Sequence, residues 1–330
     1  MTSVRTMRIF HRLLAGVVCL WPIAQATAQG FPTKPVTVIV PYPAGGPSDF
    51  VARRIQPELA RLLGQPIIVE NVGGVGGALG VQRVLNAPAD GHNMVIGTPM
   101  ELVLAPLGMA AVKHKPEDLK AVGQIANATM ALVSRRDLAA NNVDELVALA
   151  KRPGKGLSYG SVGPGSLYHL VAEKFSQLIG ATMLHVPYKG AAPLMNDLLG
   201  GQIDLVFIPL AGSTGGMIQE GKVRGYGITA PTPHPQHPNL SALAAQKGLE
   251  GMDFSLWIGY QVPRSTPEDV SARLNRAINE ALQNADVRKA LENTGNVMAP
   301  AMNLGELATL YAAEIERYRA IAKTINLQPQ

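Results

Sequence analysis

The stretch "VTVIVPYPAGGPSDFVARRIQPELARLLGQPIIVEN", residues 36–71, decides the fold. Its opening residues are apolar and β-branched, which suits a strand buried on both faces. A turn rich in Gly and Pro follows, and then a helix over 48–63. Phe50, Ile55, Leu59 and Leu62 are its expected buried stripe, with Pro57 inside. Gly64 ends that helix, and "IIVEN" (67–71) reads as a second strand. "VGGVGGALG" (72–80) turns into another helix, and "NMVIGT" (93–98) is a third strand. Strand, helix, strand, helix, strand is the pattern of a parallel sheet with crossover helices.

The pattern restarts downstream. "MALVSR" (130–135), "LSYGSV" (157–162), "MLHVPY" (183–188), "IDLVFI" (203–208) and "VRGYGIT" (223–229) read as strands. Helices are expected over 143–151, 166–179 and 193–199 between them. The remainder reads as mostly helical. Thr266-Pro267-Glu268-Asp269 is a helix start, and Asn303 with Glu306 forms a capping-box pattern. These last helices are expected to pack onto the first α/β unit.

The first residues speak to compartment. Arg5, Arg8 and Arg12 precede an apolar run at 13–23, too short to span a bilayer, and Ala26-Thr27-Ala28 offers a cleavage site. Residues 1–28 therefore read as a secretory signal peptide. Its removal takes away Cys19, the single cysteine, and three of the 29 basic residues. That leaves 26 bases against 24 acids, a net of +2. With no basic stripe, nucleic acid is not an expected partner. About 300 remaining residues suit two domains.

Sequence motifs for catalysis are poorly supported. Gly156-Leu157-Ser158-Tyr159-Gly160 has the letters of a nucleophile elbow, yet Ser158 begins its strand where an elbow needs the serine after one. The glycine-rich loops carry no G-x-x-x-x-G-K-[ST] pattern and no lysine for a nucleotide phosphate. His169, His185, His234 and His237 form no cluster with metal-ligand spacing, so neither metal nor cofactor is expected. His169 reads as a packing or hydrogen-bonding residue.

Two loops share a design better suited to binding. Ala44-Gly45-Gly46-Pro47-Ser48-Asp49 and Gly160-Ser161-Val162-Gly163-Pro164-Gly165-Ser166 each lead from a strand end into a helix start. A helix start leaves N–H groups unpaired and carries partial positive charge. Glycine lets a ligand approach, and one serine or aspartate in each loop is expected to cap. The first loop contains no lysine or arginine. Facing helix starts could hold a small carboxylate without a cation.

These segments, in this order, resemble the substrate-binding proteins of tripartite tricarboxylate transporters, the Bug family. The resemblance runs from "FPTKPVTVIVPYPAGGPSD" (31–49) through "LGQPIIVEN" (63–71), "ADGHNMVIGT" (89–98) and "YGSVGPGSLYHL" (159–170). "HVPYKGAAPLMNDLLGGQIDLVF" (185–207) is its most specific piece, and "WIGYQVPRSTPEDVSARLN" (257–275) completes it. It implies an α/β fold of the type II periplasmic binding protein, two α/β domains with a ligand cleft between them. Residues 29–125 with 230–330 would form one domain and 126–229 the other, with hinge crossings near 125–130 and 228–231. It implies a periplasmic, monomeric binding protein, not an enzyme, that hands a small organic carboxylate to membrane transporter subunits.

Carried over by position, the first domain would contribute Tyr42, Ala44, Gly45, Gly46, Ser48 and Thr98. The second would contribute Ser161, Gly165 and Ser166, with Tyr188 and Asp204 nearby. Ordered waters bridge ligand and first-domain loop in similar proteins. Pro47, Val72-Gly73 and "PLAGSTGG" (209–216) depart from the family's usual residues. A sensor receptor of the same fold, or a secreted hydrolase using Ser158 or Ser161, are the alternatives.

Overall fold

The computed structural model describes residues 30–154, 156–211, 213–324 and 327. The signal-peptide reading, residues 1–28, falls outside them. The chain builds β1 (Val36–Val40), α1 (Pro47–Leu63), β2 (Ile67–Asn71), α2 (Ala78–Leu85) and β3 (Asn93–Gly97), as the opening stretch predicts. A π-helical turn (Met100–Leu104) and α3 (Ala105–Gly108) lead to β4, a 17-residue strand (Leu119–Arg135). Then come α4 (Val143–Ala150), β5 (Ser158–Ser161), α5 (Leu167–Ile179), β6 (Leu184–Pro187), α6 (Ala191–Leu199) and β7 (Leu205–Pro209). α7 (Thr214–Gln219), β8 (Val223–Ile228), β9 (Ser255–Pro263), α8 (Glu268–Ala281), α9 (Ala285–Glu292), β10 (Val297–Met298) and α10 (Leu304–Thr324) complete it.

The strands form one mixed sheet in the order β2-β1-β3-β9-β4-β7-β5-β6, with β8 and β10 also pairing β4. β1 runs parallel to β2 and β3, and β5 parallel to β6 and β7. β9 is antiparallel to both β3 and β4. β4 is the shared member of both sets. It pairs with β9 up to Thr129, then with β7 from Met130 and β8 from Ala131. The sequence reading missed two things here. Residues 119–129 carry Gly, Gln and Asn and do not look like a strand, and the C-terminal part contains β9, a central strand.

Two-residue alternation places helices on both faces of the first strand set. Val36, Val38 and Val40 of β1, with Met94 and Ile96 of β3, point into one core with Ile55 and Leu59 of α1 and Leu274 and Ile278 of α8. Ile39 and Val95 point into the other core, with Val81 and Val84 of α2 and Tyr311, Ile315 and Tyr318 of α10. The C-terminal helices α8 and α9 thus cover the first α/β unit, as expected. Phe50 does not join that core. It is 42% exposed, and Val51 and Ala52, next along the helix, take the inward positions.

Candidate functional site

β1, β3 and β5 end in loops, and these loops carry most of the candidate residues. The loop after β1 is tied by a chain of side-chain hydrogen bonds. The Gly45 amide donates to Asp49 Oδ2 (2.9 Å), and Arg53 Nε donates to Asp49 Oδ1 (2.9 Å). Arg53 Nη2 donates to Asn71 Oδ1 (3.0 Å), and Asn71 Nδ2 returns to the Tyr42 carbonyl (3.0 Å). Burial alone would raise the Asp49 pKa, but hydrogen bonds from Arg53 and Gly45 outweigh it and hold the carboxyl below its ordinary value.

Neither Ser48 nor Asp49 caps α1, contrary to expectation. Gly46 is the N-cap residue and Pro47 occupies the first turn, where a missing N–H costs nothing. The first-turn amides of Ser48 and Asp49 have no helical carbonyl to bond. Ala44 is exposed beside them. The nearby cation, Arg53, is engaged by Asp49.

Behind this loop lies a group that the sequence reading did not single out. Glu101, in the π-helical turn after β3, is fully buried. It accepts hydrogen bonds from Tyr42 Oη (2.6 Å), Thr98 Oγ1 (2.7 Å) and the Thr98 amide. Desolvation raises its pKa to about 7, more than these donors lower it. Gly77 makes room for it. A Cβ there would lie 2.7 Å from the Glu101 Cβ, and its φ of +91° is a left-handed conformation that glycine adopts freely. An acid inside the apolar run "MELVLAPL" (100–107) was the available signal.

The loop after β5 is held by rings. Ser161, also fully buried, has Oγ 2.6 Å from His185 Nε2 and accepts the Gly163 amide at 3.1 Å. The His185 ring stacks on Tyr159 and His169, centroids 5.0 and 4.3 Å away. His169 Nδ1 accepts the Gly165 amide (3.1 Å), so its proton sits on Nε2, which points toward Glu173 at 4.0 Å. Burial pushes both histidines down, His185 to about 4 with help from His169. Ser166 is the N-cap of α5, accepting the His169 amide (3.4 Å) and donating to the Gly163 carbonyl (2.6 Å).

The sequence offered no histidine partner for Ser161, and tertiary structure supplies one. The contact is built to hold a loop. The serine oxygen is already engaged by an amide, and a ring with a pKa near 4 is a weak base at neutral pH. Tyr188 continues the same framework, its amide donating to the Ser161 carbonyl (2.8 Å) and its hydroxyl to Asp197 (2.7 Å).

Asp204 does not join this group. It precedes β7, at the end of the β5–β7 ladder away from Ser161. There it accepts Arg135 Nε (2.9 Å), the Ser158 amide (2.8 Å) and the Ser158 hydroxyl (2.9 Å). It locks strand starts together, and Ser158 is occupied by the same task.

The other loop ends converge. A Cβ on Gly165 would sit 3.5 Å from the Gly108 Cα, so the α3 end and the second loop touch backbone to backbone. Tyr168, in the first turn of α5, acts electrostatically on the Tyr42 phenol. Tyr42, Thr98 and Tyr168 therefore lie near one another, with Gly165 at the start of α5 against the end of α3.

Residues 51–327 match the family described as "Tripartite tricarboxylate transporter family receptor". A UPF0065 protein of Agrobacterium vitis is 33% identical over 326 residues, covering 97% of this chain and 91% of that one. Rpa4515 of R. palustris, solved with adipate, superposes with a TM-score of 0.81 at 29% identity, covering 91% and 100% of the two chains. MatC of Rhodopseudomonas palustris, solved with bound malate, gives 0.77 at 31% identity, covering 88% and 99%. The chain belongs to the tripartite tricarboxylate transporter receptors, the family its loop segments resemble.

Proposed function

We propose that this protein is a periplasmic solute-binding protein that closes on a small organic carboxylate and delivers it to a tripartite tricarboxylate-type membrane transporter. The carrying observation is that two glycine-bordered helix starts, α1 and α5, each follow the end of a parallel strand, with the neighbouring Arg53 already paired to Asp49. Each helix start favours an anion by roughly 0.3–1 kcal/mol when exposed and up to about 2 when partly buried. Relatives solved with malate and adipate support the ligand class.

The amides of Gly45, Gly163 and Gly165, and the hydroxyls of Ser161 and Ser166, are already engaged by Asp49, Ser161, His169, His185 and the Gly163 carbonyl. Gly46, Ser48 and the amides of Asp49, Leu167 and Tyr168 supply the donors, and Tyr42, Thr98 and Tyr188 line the walls. Domain one is residues 29–125 with 230–330, domain two 126–229. The hinge uses β4 where it changes partners and the chain after β8. The protein works as a monomer after loss of residues 1–28.

Thermal unfolding against a panel of small carboxylates and their amides tests this. A concentration-dependent rise in midpoint with an acid, absent with its full amide, is the expected result. A folded, ligand-free protein that responds to no acid on the panel would overturn it.

A further inference from the structure

Glu101 gives the cleft wall a direction. An ionised carboxylate only accepts hydrogen bonds, and Tyr42 and Thr98 have one hydroxyl proton each. Both protons point to Glu101 Oε2, at 2.6 and 2.7 Å. The Thr98 hydroxyl also affects Tyr42, so whichever oxygen it serves, its proton stays inside the cluster. With its proton on Glu101, Tyr42 has only lone pairs left to offer a group outside the cluster. The starts of α1 and α5 offer the opposite, N–H groups.

We propose that Glu101 makes the first-half wall of the cleft hydrogen-bond accepting, so that the site selects a ligand with a carboxylate at one end and a hydrogen-bond donor at the other. A hydroxyl, an amide N–H or an ammonium would serve. The inference rests on the carboxylate-binding reading above and narrows it.

The groups around the cluster leave Glu101 in control of its charge. Tyr168 from α5 and Tyr311 from α10 are phenols that burial pushes upward, and the Tyr42 phenol is raised by burial and by Glu101. His114, whose Nε2 lies 3.1 Å from the Glu101 carbonyl, is pushed down by burial, toward its neutral form. Across the neutral range, Glu101 itself titrates, near 7. Protonated, it has its own proton to donate and releases a hydroxyl to donate outward. The accepting preference should weaken as pH falls through that value.

Calorimetric titration of the protein with matched acids tests this. Malate against succinate adds a hydroxyl, and adipate half-amide against adipate replaces a carboxylate by an amide donor. At pH 8.5 the donor-bearing member of at least one pair should bind about ten-fold tighter or more, as one hydrogen bond to a polarised group allows. That ratio should shrink by pH 6 and be lost in Glu101→Gln, whose amide supplies protons of its own. Acids that bind without discrimination at pH 8.5, or a ratio unchanged in Glu101→Gln, would overturn the inference and leave carboxylate binding standing. Failure of every acid to bind the folded protein would overturn both. Should Glu101→Gln not fold, the wild-type ratio against pH decides alone, a constant ratio being fatal.

Discussion

In the first half of the sheet the loop at 41–49 is organised by carboxylates, Asp49 beneath its glycines and Glu101 behind its tyrosine. In the second half the loop at 161–166 is organised by imidazoles, His185 under Ser161 and His169 under Gly165. Both loops lead into a helix start, yet the buried groups that shape them respond to protons in opposite ways. Glu101 is shifted toward its neutral form by burial, and so are the histidines. For an acid that means holding a proton, and for a base it means shedding one.

The sharpest way to break this comparison is to remove one side. Glu101, raised to about 7, contributes stability that is complete below its unfolded value and is lost as pH rises through 7. His185, lowered to about 4, contributes stability that is complete above its unfolded value of 6.5 and is lost as pH falls toward 4. Each displacement is worth on the order of 3 kcal/mol at most, so between about pH 4.5 and 6.5 the two slopes oppose. In Glu101→Gln, urea melts should show stability rising with pH from 4 to 6.5. In His185→Phe, which keeps a ring in the stack, stability should instead fall from pH 4.5 to 7. Identical pH profiles in both variants would mean that neither group titrates as its burial requires.

A second test concerns the polar chain in the first loop. Asp49→Ala leaves the Gly45 amide and Arg53 without their acceptor and should cost about 2 kcal/mol in urea denaturation. It should also weaken carboxylate binding, because the loop loses its shape. Normal affinity in that variant would show that Asp49 serves α1 alone. Ser161→Ala tests the second loop. It should weaken ligand binding by about 1 kcal/mol or more, here through the Gly163 amide that Ser161 holds. Asp204→Asn, at the opposite end of the ladder, should lower stability and leave affinity unchanged.

The smallest expected effect separates a sequence reading from the structure. Phe50 has the apolar character of a core residue but faces outward. Phe50→Ala should change stability by less than about 0.5 kcal/mol, whereas Ile55→Ala, one turn on and fully buried, should cost about 2–5. Comparable losses at both positions would place Phe50 in a packed environment after all.

Much of the frame was legible from local pattern. β-branched runs, helix-period stripes and glycine stops depend on near neighbours, so β2, β3, α1 and α5 emerged within a residue of their observed bounds, and β1, read as 36–42, within two. The loops at 44–49 and 160–166 were legible for the same reason, since a glycine-bordered helix start is a local object. Where the sequence offered several equivalent residues, it could not choose. Ser48, Asp49 and Gly46 are all acceptable N-caps by type, and Gly46 takes the position because Pro47 presets the first helical φ and Asp49 is drawn to Gly45 and Arg53.

What the sequence determined by itself was the class of element at most places, β9 and the first half of β4 excepted, and the family they jointly spell. Those follow from side-chain periodicity and from backbone preferences that act within a few residues. What tertiary structure alone decided was which polar groups meet. Residues 119–129 become strand because β9, more than 120 residues away, supplies their hydrogen bonds. Glu101 becomes a neutral-range acid, and Ser161 acquires a histidine, because packing removes water from groups that carry no mark of it in the chain. Desolvation is a property of the whole assembly of neighbours, and only the folded molecule contains it.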